Sequence, residues 1–214
     1  MMSYIFGKIF PEAKEKIVYI LKELKEHAPF TAFGAVTGIV IMFLIVFWHV
    51  PYEISHKIFY ILHPFHILLS ALVTTALYKR HTKNGTWKII LIGYTGSIGI
   101  ATLSDTIVPY LGVSLLGMNI PLVIPFLVKW WVNILAFAGI GLGYIRPSTK
   151  FPHAGHVLLS TWASLFNITQ YQIQIAGWMF PFIFLFLFFS VWIPCCLSDI
   201  IYPLIFVEKT EKNL

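Results

Sequence analysis

The chain alternates between two kinds of segment. Residues 11–27, PEAKEKIVYILKELKEH, place Ile17, Val18, Ile20, Leu21 and Leu24 on one side of a helix and lysines and glutamates on the other. That pattern predicts an amphipathic helix, either lying on a membrane surface or packed against neighbouring loops. From residue 30 onward the pattern changes to long apolar runs, near the roughly 20 residues that cross a bilayer. Six are expected: Phe30–Val50, Ile54–Leu77, Trp87–Leu111, Ile120–Tyr144, a shorter one over His153–Ile168 and a longer one over Trp178–Phe206. The expected fold class is an all-α integral membrane protein with six transmembrane helices and an N-terminal interfacial helix.

Two pairs of short motifs divide the runs into halves. Residues 63–70 read HPFHILLS and residues 153–160 read HAGHVLLS, identical at five of eight positions. Residues 103–109 read LSDTIVP and residues 197–203 read LSDIIYP, identical at five of seven. The order is the same in both halves, with offsets of 90 and 94 residues. The chain then divides into a cytoplasmic segment over 1–29, a first three-helix repeat over 30–112, a second over 113–206 and a tail over 207–214. Three spans per unit is an odd number, so the second unit enters the membrane from the opposite side. Inverted repeats of this kind underlie many secondary transporters, although architecture alone does not establish transport.

Composition agrees with the pattern. Hydrophobic residues make up 58% of the chain and charged residues 11%, against about 25% charged in soluble domains. The formal charge of +6 sits in a few short segments: the N-terminal lysines, KRHTKNGTWK, Arg146 with Lys150, and Lys209 with Lys212. The intervening loops GVSLLGMN and TQYQIQ carry no Lys or Arg, and only Lys57 departs from the trend. This distribution predicts that both termini are cytoplasmic, and it argues against nucleic acid as a partner. The sequons at Asn84 and Asn167 carry little weight at a cytoplasmic loop and a membrane edge. The opening residues lack the pattern of a cleavable signal, so the first span is expected to serve as an uncleaved one. The two cysteines, Cys195 and Cys196, are adjacent within an apolar run and predict no disulfide framework.

The motifs carry the candidate chemistry. On a helix, positions i, i+3 and i+7 share one face, so His63, His66 and Ser70 form one stripe, and His153, His156 and Ser160 another. Asp105 and Asp199 lie in apolar runs, where a carboxylate costs about 2.5–3.5 kcal/mol at the bilayer centre. They must face protein, water or a cation. Consecutive helices run antiparallel, so each Asp can reach the depth of its own His pair. Two imidazoles and a carboxylate suit a first-row transition metal, here Zn, Cu or Fe. The expected ligands are His63, His66, Asp105, His153, His156 and Asp199, with Ser70, Ser104, Ser160 and Ser198 orienting them. Two sites on opposite leaflets and one shared site both remain open, the short fifth helix favouring two. The competing readings are a proton or polar-substrate site and plain hydrogen bonding between helices.

Four further residues are candidates. Lys129 either reaches the outer interface or pairs with Asp105. Cys195 and Cys196, opposite Ala101 and Thr102 of the first half, are packing residues or soft ligands for Cu(I). His49 belongs to an outer cluster or to the interface. The His-rich helix followed by Leu-Leu resembles that of membrane copper-oxidase assembly proteins. The two-His-one-Asp set is similar in ligand type to the membrane subunit of copper monooxygenases. Spacing differs in the first case, and no residue role carries over from either. The expected function is a divalent metal transporter. The alternative is a membrane metalloenzyme or copper assembly factor acting on a lipid, a quinone or an oxidase partner, and a b-type cytochrome ranks behind both. The implied partners are the lipid bilayer, the metal ion, and a second copy or a membrane subunit.

Overall fold

The computed structural model describes residues 2–82, 85–145, 150–171, 175–196 and 201–206; for 2–20, 22–23, 26–27, 150–154, 196 and 204 it describes the backbone alone. The described residues form helices and no strand. In order they are α1 (Met2–Phe47), α2 (Tyr52–His81), α3 (Thr86–Thr102), a π-helical segment (Leu103–Ile107) running on into α4 (Val108–Leu115), α5 (Pro125–Val128), α6 (Trp130–Ile145), α7 (Lys150–Thr169), a 3-10 turn (Gly177–Met179) leading into α8 (Phe180–Cys196), and α9 (Tyr202–Ile205). Four stretches are long and apolar enough to cross a membrane: Ala28–Phe47, Tyr52–His81, Thr86–Leu115 and Gly177–Cys195. Trp130–Ile145 is apolar but shorter.

Two elements differ from the sequence reading. The amphipathic segment over 11–27 is not a separate helix, because α1 runs unbroken from Met2 to Phe47. The helix expected from Ile120 is interrupted: α5 covers Pro125–Val128, Lys129 is extended (φ −123°, ψ 102°), and α6 begins at Trp130. Pro125 opens α5 at a first-turn position, where its missing N–H is tolerated.

Burial is inverted relative to a soluble protein. Phe33, Val36, Val40, Phe43 and Phe47 form an exposed apolar stripe on α1, while Thr74, Thr75, Ser97, Ser104, Ser160 and Ser164 are buried. Lipid favours this arrangement, because polar side chains find partners only between helices.

Helix packing follows an exchange rule. α2 packs on α7; α2 packs on α6 as α7 packs on α1; α3 packs on α2 as α8 packs on α7; α3 packs on α6 as α8 packs on α1; and α4 packs on α7 as α9 packs on α2. Swapping α1 with α6, α2 with α7, α3 with α8 and α4 with α9 leaves these contacts unchanged. The glycines obey the same rule. A Cβ at Gly139 on α6 would strike the Leu68 carbonyl and Ala71 of α2, and one at Gly34 on α1 would meet Leu158 and Thr161 of α7. Leu68 and Ala71 align with Leu158 and Thr161 at the 90-residue offset of the first motif. Each glycine begins a Gly-x-x-x-Gly pair, Gly34/Gly38 and Gly139/Gly143, which lets helix backbones approach closely.

This packing predicts a contrast within one helix. Gly139→Ala puts a methyl group onto a backbone oxygen and should destabilise the fold by at least the about 1–3 kcal/mol of an overpacked core. Gly141→Ala, which meets nothing within 4 Å, should leave stability unchanged or slightly raised. Thermal unfolding of both variants in detergent distinguishes them.

Candidate metal centre

The site forms where α2, α7 and the π-helical segment meet. Pro109 shapes that segment. It has no N–H to close onto the Asp105 carbonyl four residues back. The Val108 N–H bonds the Leu103 carbonyl, five residues back, in place of Ser104. The carbonyls of Ser104 and Asp105 are thereby freed, and α7 satisfies both. Ser164 Oγ donates to the Ser104 carbonyl at 3.0 Å, and Asn167 Nδ2 donates to the Asp105 carbonyl at 2.9 Å. π-Helical turns inside α-helices recur at functional sites. This one turns Asp105 into the protein interior, where it is fully buried. In the second motif, Pro203 also follows Asp199 by four residues, and Ile201, the equivalent of Ile107, is π-helical.

Four donors surround the Asp105 carboxylate. His63 Nδ1 and His66 Nδ1 lie 2.8 and 2.7 Å from Oδ2. Ser104 Oγ donates to Oδ1 at 2.7 Å and Ser160 Oγ at 2.6 Å. An ionised carboxylate offers about four lone-pair sites, so this set saturates it. Hydrogen-bond logic then assigns a proton to Nδ1 of both imidazoles and leaves their Nε2 lone pairs available. His63 Nε2 is buried with no hydrogen-bond partner among the described residues, a costly state for a polar atom unless it meets a ligand.

The second half of the chain reaches the same cluster. The His66 and His156 rings stack with centroids 5.7 Å apart and planes within 9°. These two residues hold matching positions in the motifs HPFHILLS and HAGHVLLS. α2 and α7 are direct neighbours, which sets His66 beside His156; the second of the two expected sites rests on the His153 side chain and Asp199, which lie outside the described residues.

Two donor sets emerge. His63, His66 and Asp105 form one; His66, His156 and Cys195 form the other, all buried, with ligand atoms within 4.8 Å of one another in each set. The first is contracted by hydrogen bonding. Donors around a tetrahedral ion with bonds of about 2.0–2.1 Å stand about 3.3 Å apart, so a cation there needs these contacts to open by about 0.5 Å and both Nδ1 protons to leave. The second set lies on the other side of His66. In that arrangement Asp105 holds His66 through Nδ1 and leaves Nε2 to coordinate, as in carboxylate–histidine–metal triads. The residues present therefore fit a transition-metal ion, with Asp105 orienting the ligands.

The remaining expected residues fall as follows. Ser70 is buried on the same helix as His63 and His66. Ser160, placed by sequence beside His153 and His156, bonds Asp105 of the other half. Lys129 is not seen beside Asp105; its Nζ lies 5.2 Å from the centroids of both the Tyr60 and Trp131 rings. His49 is exposed in the turn after α1, with a φ of 49°. The side chains of His153 and Cys196 and all of Ser198 and Asp199 lie outside the described residues.

Sequence reasoning passed over a polar chain leading out from the site. His56 Nδ1 lies 2.8 Å from Gln170 Oε1, Gln170 Nε2 donates to Asn167 Oδ1 at 2.7 Å, and Asn167 donates to the Asp105 carbonyl. Tyr52, exposed at the start of α2, lies 3.0 Å from His56 Nδ1. Asn167 is thus a buried structural donor rather than a glycosylation acceptor. Comparison with protein-family models, curated proteins and solved structures finds no match to this chain.

Proposed function

We propose that this chain is a six-span membrane protein of two inverted three-helix repeats, both termini cytoplasmic, that transports a transition-metal ion through the cluster at the repeat junction. The observation that carries the reading is the stacked His66–His156 pair. It takes one equivalent histidine from each half and lies beside a carboxylate that fixes the imidazole tautomer. The exchange rule in the packing supports the repeat, with α6 and α7 supplying the two shorter spans. Alternating access works by rocking one such half against the other around a central site. The polar chain from Tyr52 to Asp105 supplies a hydrophilic route on the outer side. A second reading, a membrane metalloenzyme acting on a lipid or quinone, is favoured by one asymmetry: Cys195 stands where the first half has Ala101.

Metal uptake into reconstituted vesicles separates the two. A carrier predicts uptake by the parent protein, with loss of flux of similar size in His63→Ala/His66→Ala and His153→Ala/His156→Ala. Parent vesicles that accumulate no metal would remove transport. Uptake impaired in only one double variant would replace the symmetric mechanism with a single-sided one.

A further inference from the structure

We infer that His56 is the loading ligand of the buried centre, the imidazole through which a transition-metal ion passes on its way to His63 and His66. The inference rests on the metal reading above and adds the residue at which the ion enters. Three observations carry it.

The first is a chain of hydrogen bonds whose direction is fixed. Asn167 Nδ2 donates to the Asp105 carbonyl at 2.9 Å, so Asn167 Oδ1 is the atom left to accept. Gln170 Nε2 donates to it at 2.7 Å and to the Asn167 carbonyl at 3.2 Å. Gln170 Oε1 therefore faces His56, and an amide oxygen only accepts. His56 Nδ1, 2.8 Å away, must carry the hydrogen. In the neutral ring the lone pair then sits on Nε2, the atom that meets a metal when Nδ1 is held in this way. The chain is not a proton wire, because it runs through two amides and ends on a backbone carbonyl. Its effect is to hold the ring.

The second observation is placement. His56 is half-buried near the start of α2 and Tyr52 beside it is exposed. Its ring packs against Tyr52 and Tyr60, with centroids 5.0 and 4.6 Å away. An ion arriving from water at this end of α2 meets His56 before it meets His63 and His66, which are fully buried. The third observation is spacing. His56 and His63 are seven residues apart on α2, so they share a helix face and stand about 10 Å apart along the axis. His66 follows one turn further on. The three imidazoles form a ladder from the half-buried end of the helix to its interior. On the next rung, His63 Nε2 is buried with no hydrogen-bond partner among the described residues. A close-packed interior has no room for a hydrated ion. Exchange of the first water for an imidazole at His56 begins dehydration where water is still at hand.

A residue on the path but outside the final site changes the rates of loading and release by the same factor and leaves the equilibrium alone. The test therefore measures both rates and the equilibrium, on the full-length protein in detergent. Zn(II), Fe(II) and Cu(I) are offered singly, and whichever the parent holds is the probe. Loading is followed by chelator quench and elemental analysis, and release by transfer to excess chelator. His56→Ala, checked for folding by gel filtration and helical content, should bind the same amount with the same affinity. Its loading and release should both slow about tenfold or more, within the one to three decades that association rates span among variants of one interface. Tyr52→Phe keeps Gln170 as the acceptor and should behave as the parent. Gln170→Leu frees the ring and should slow loading without changing the amount bound; it decides the matter if His56→Ala does not fold. Loading at the parent rate in His56→Ala, or in Gln170→Leu where that variant decides, overturns the role of His56 and leaves the metal reading intact. Weaker binding at equilibrium in His56→Ala overturns it too, since the residue would then belong to the final site. A parent that holds none of the three ions removes both readings.

Discussion

Asp105→Ala is expected to unfold the centre and abolish metal binding, whereas Asp105→Asn should keep the fold and only weaken metal binding. The alanine variant strips the acceptor from two imidazole N–H groups and two hydroxyls in one buried spot. Each donor left unpaired costs about 1–3 kcal/mol, and four lie around this carboxylate. Asparagine is close to isosteric. Its carbonyl oxygen can face His63 and His66, and its amide can donate to Ser104 and Ser160, whose hydroxyls then turn to accept. The network is satisfied again, but the negative charge that raises imidazole basicity is gone. Metal affinity should then fall by roughly 10–100-fold, the usual loss for such an orienting partner. Thermal unfolding in detergent reads the first difference and metal titration the second. Equal metal affinity in Asp105→Asn and the parent would exclude an orienting role for the carboxylate.

The second large effect separates two histidines that the sequence treats alike. His66 contacts both Asp105 and His156 and belongs to both donor sets; His63 belongs to one. His66→Ala should reduce bound metal to background. His63→Ala should retain bound metal with affinity lowered by roughly 10–100-fold, since it removes a neighbour of the orienting carboxylate. Metal titration of the two purified variants checks this ranking. A reversed order would move the site to the His63 side of Asp105.

Some of this centre was legible in the chain. The i, i+3 spacing of His63 and His66 defines a helix face, and an aspartate in an apolar run must be met by something polar. Antiparallel neighbours bring it to the histidines. The partners from α7 were not legible. Ser160, Ser164 and Asn167 are ordinary polar residues in sequence, and only the close packing of α2 and α7 turns them toward Asp105 and the carbonyls freed by Pro109. The same limit applies to Gly34 and Gly139, whose small size matters only because Leu158 and Leu68 lie opposite. Apolar composition suggested one continuous helix from Ile120, whereas the backbone turns helical only at Pro125 and is broken by an extended Lys129 before Trp130. For Lys129 charge alone left two places open, the outer interface and the side of Asp105, while Tyr60 and Trp131 provide ring faces for it.

The account depends most on metal being held at the junction of the two halves. Elemental analysis of the detergent-purified protein, with His66→Ala/His156→Ala purified beside it, measures this directly. The prediction is one transition-metal ion per chain in the parent and none in the double variant, with both proteins equally helical. A parent free of metal after exposure to Zn, Cu and Fe, or a double variant that keeps its full complement, would contradict it.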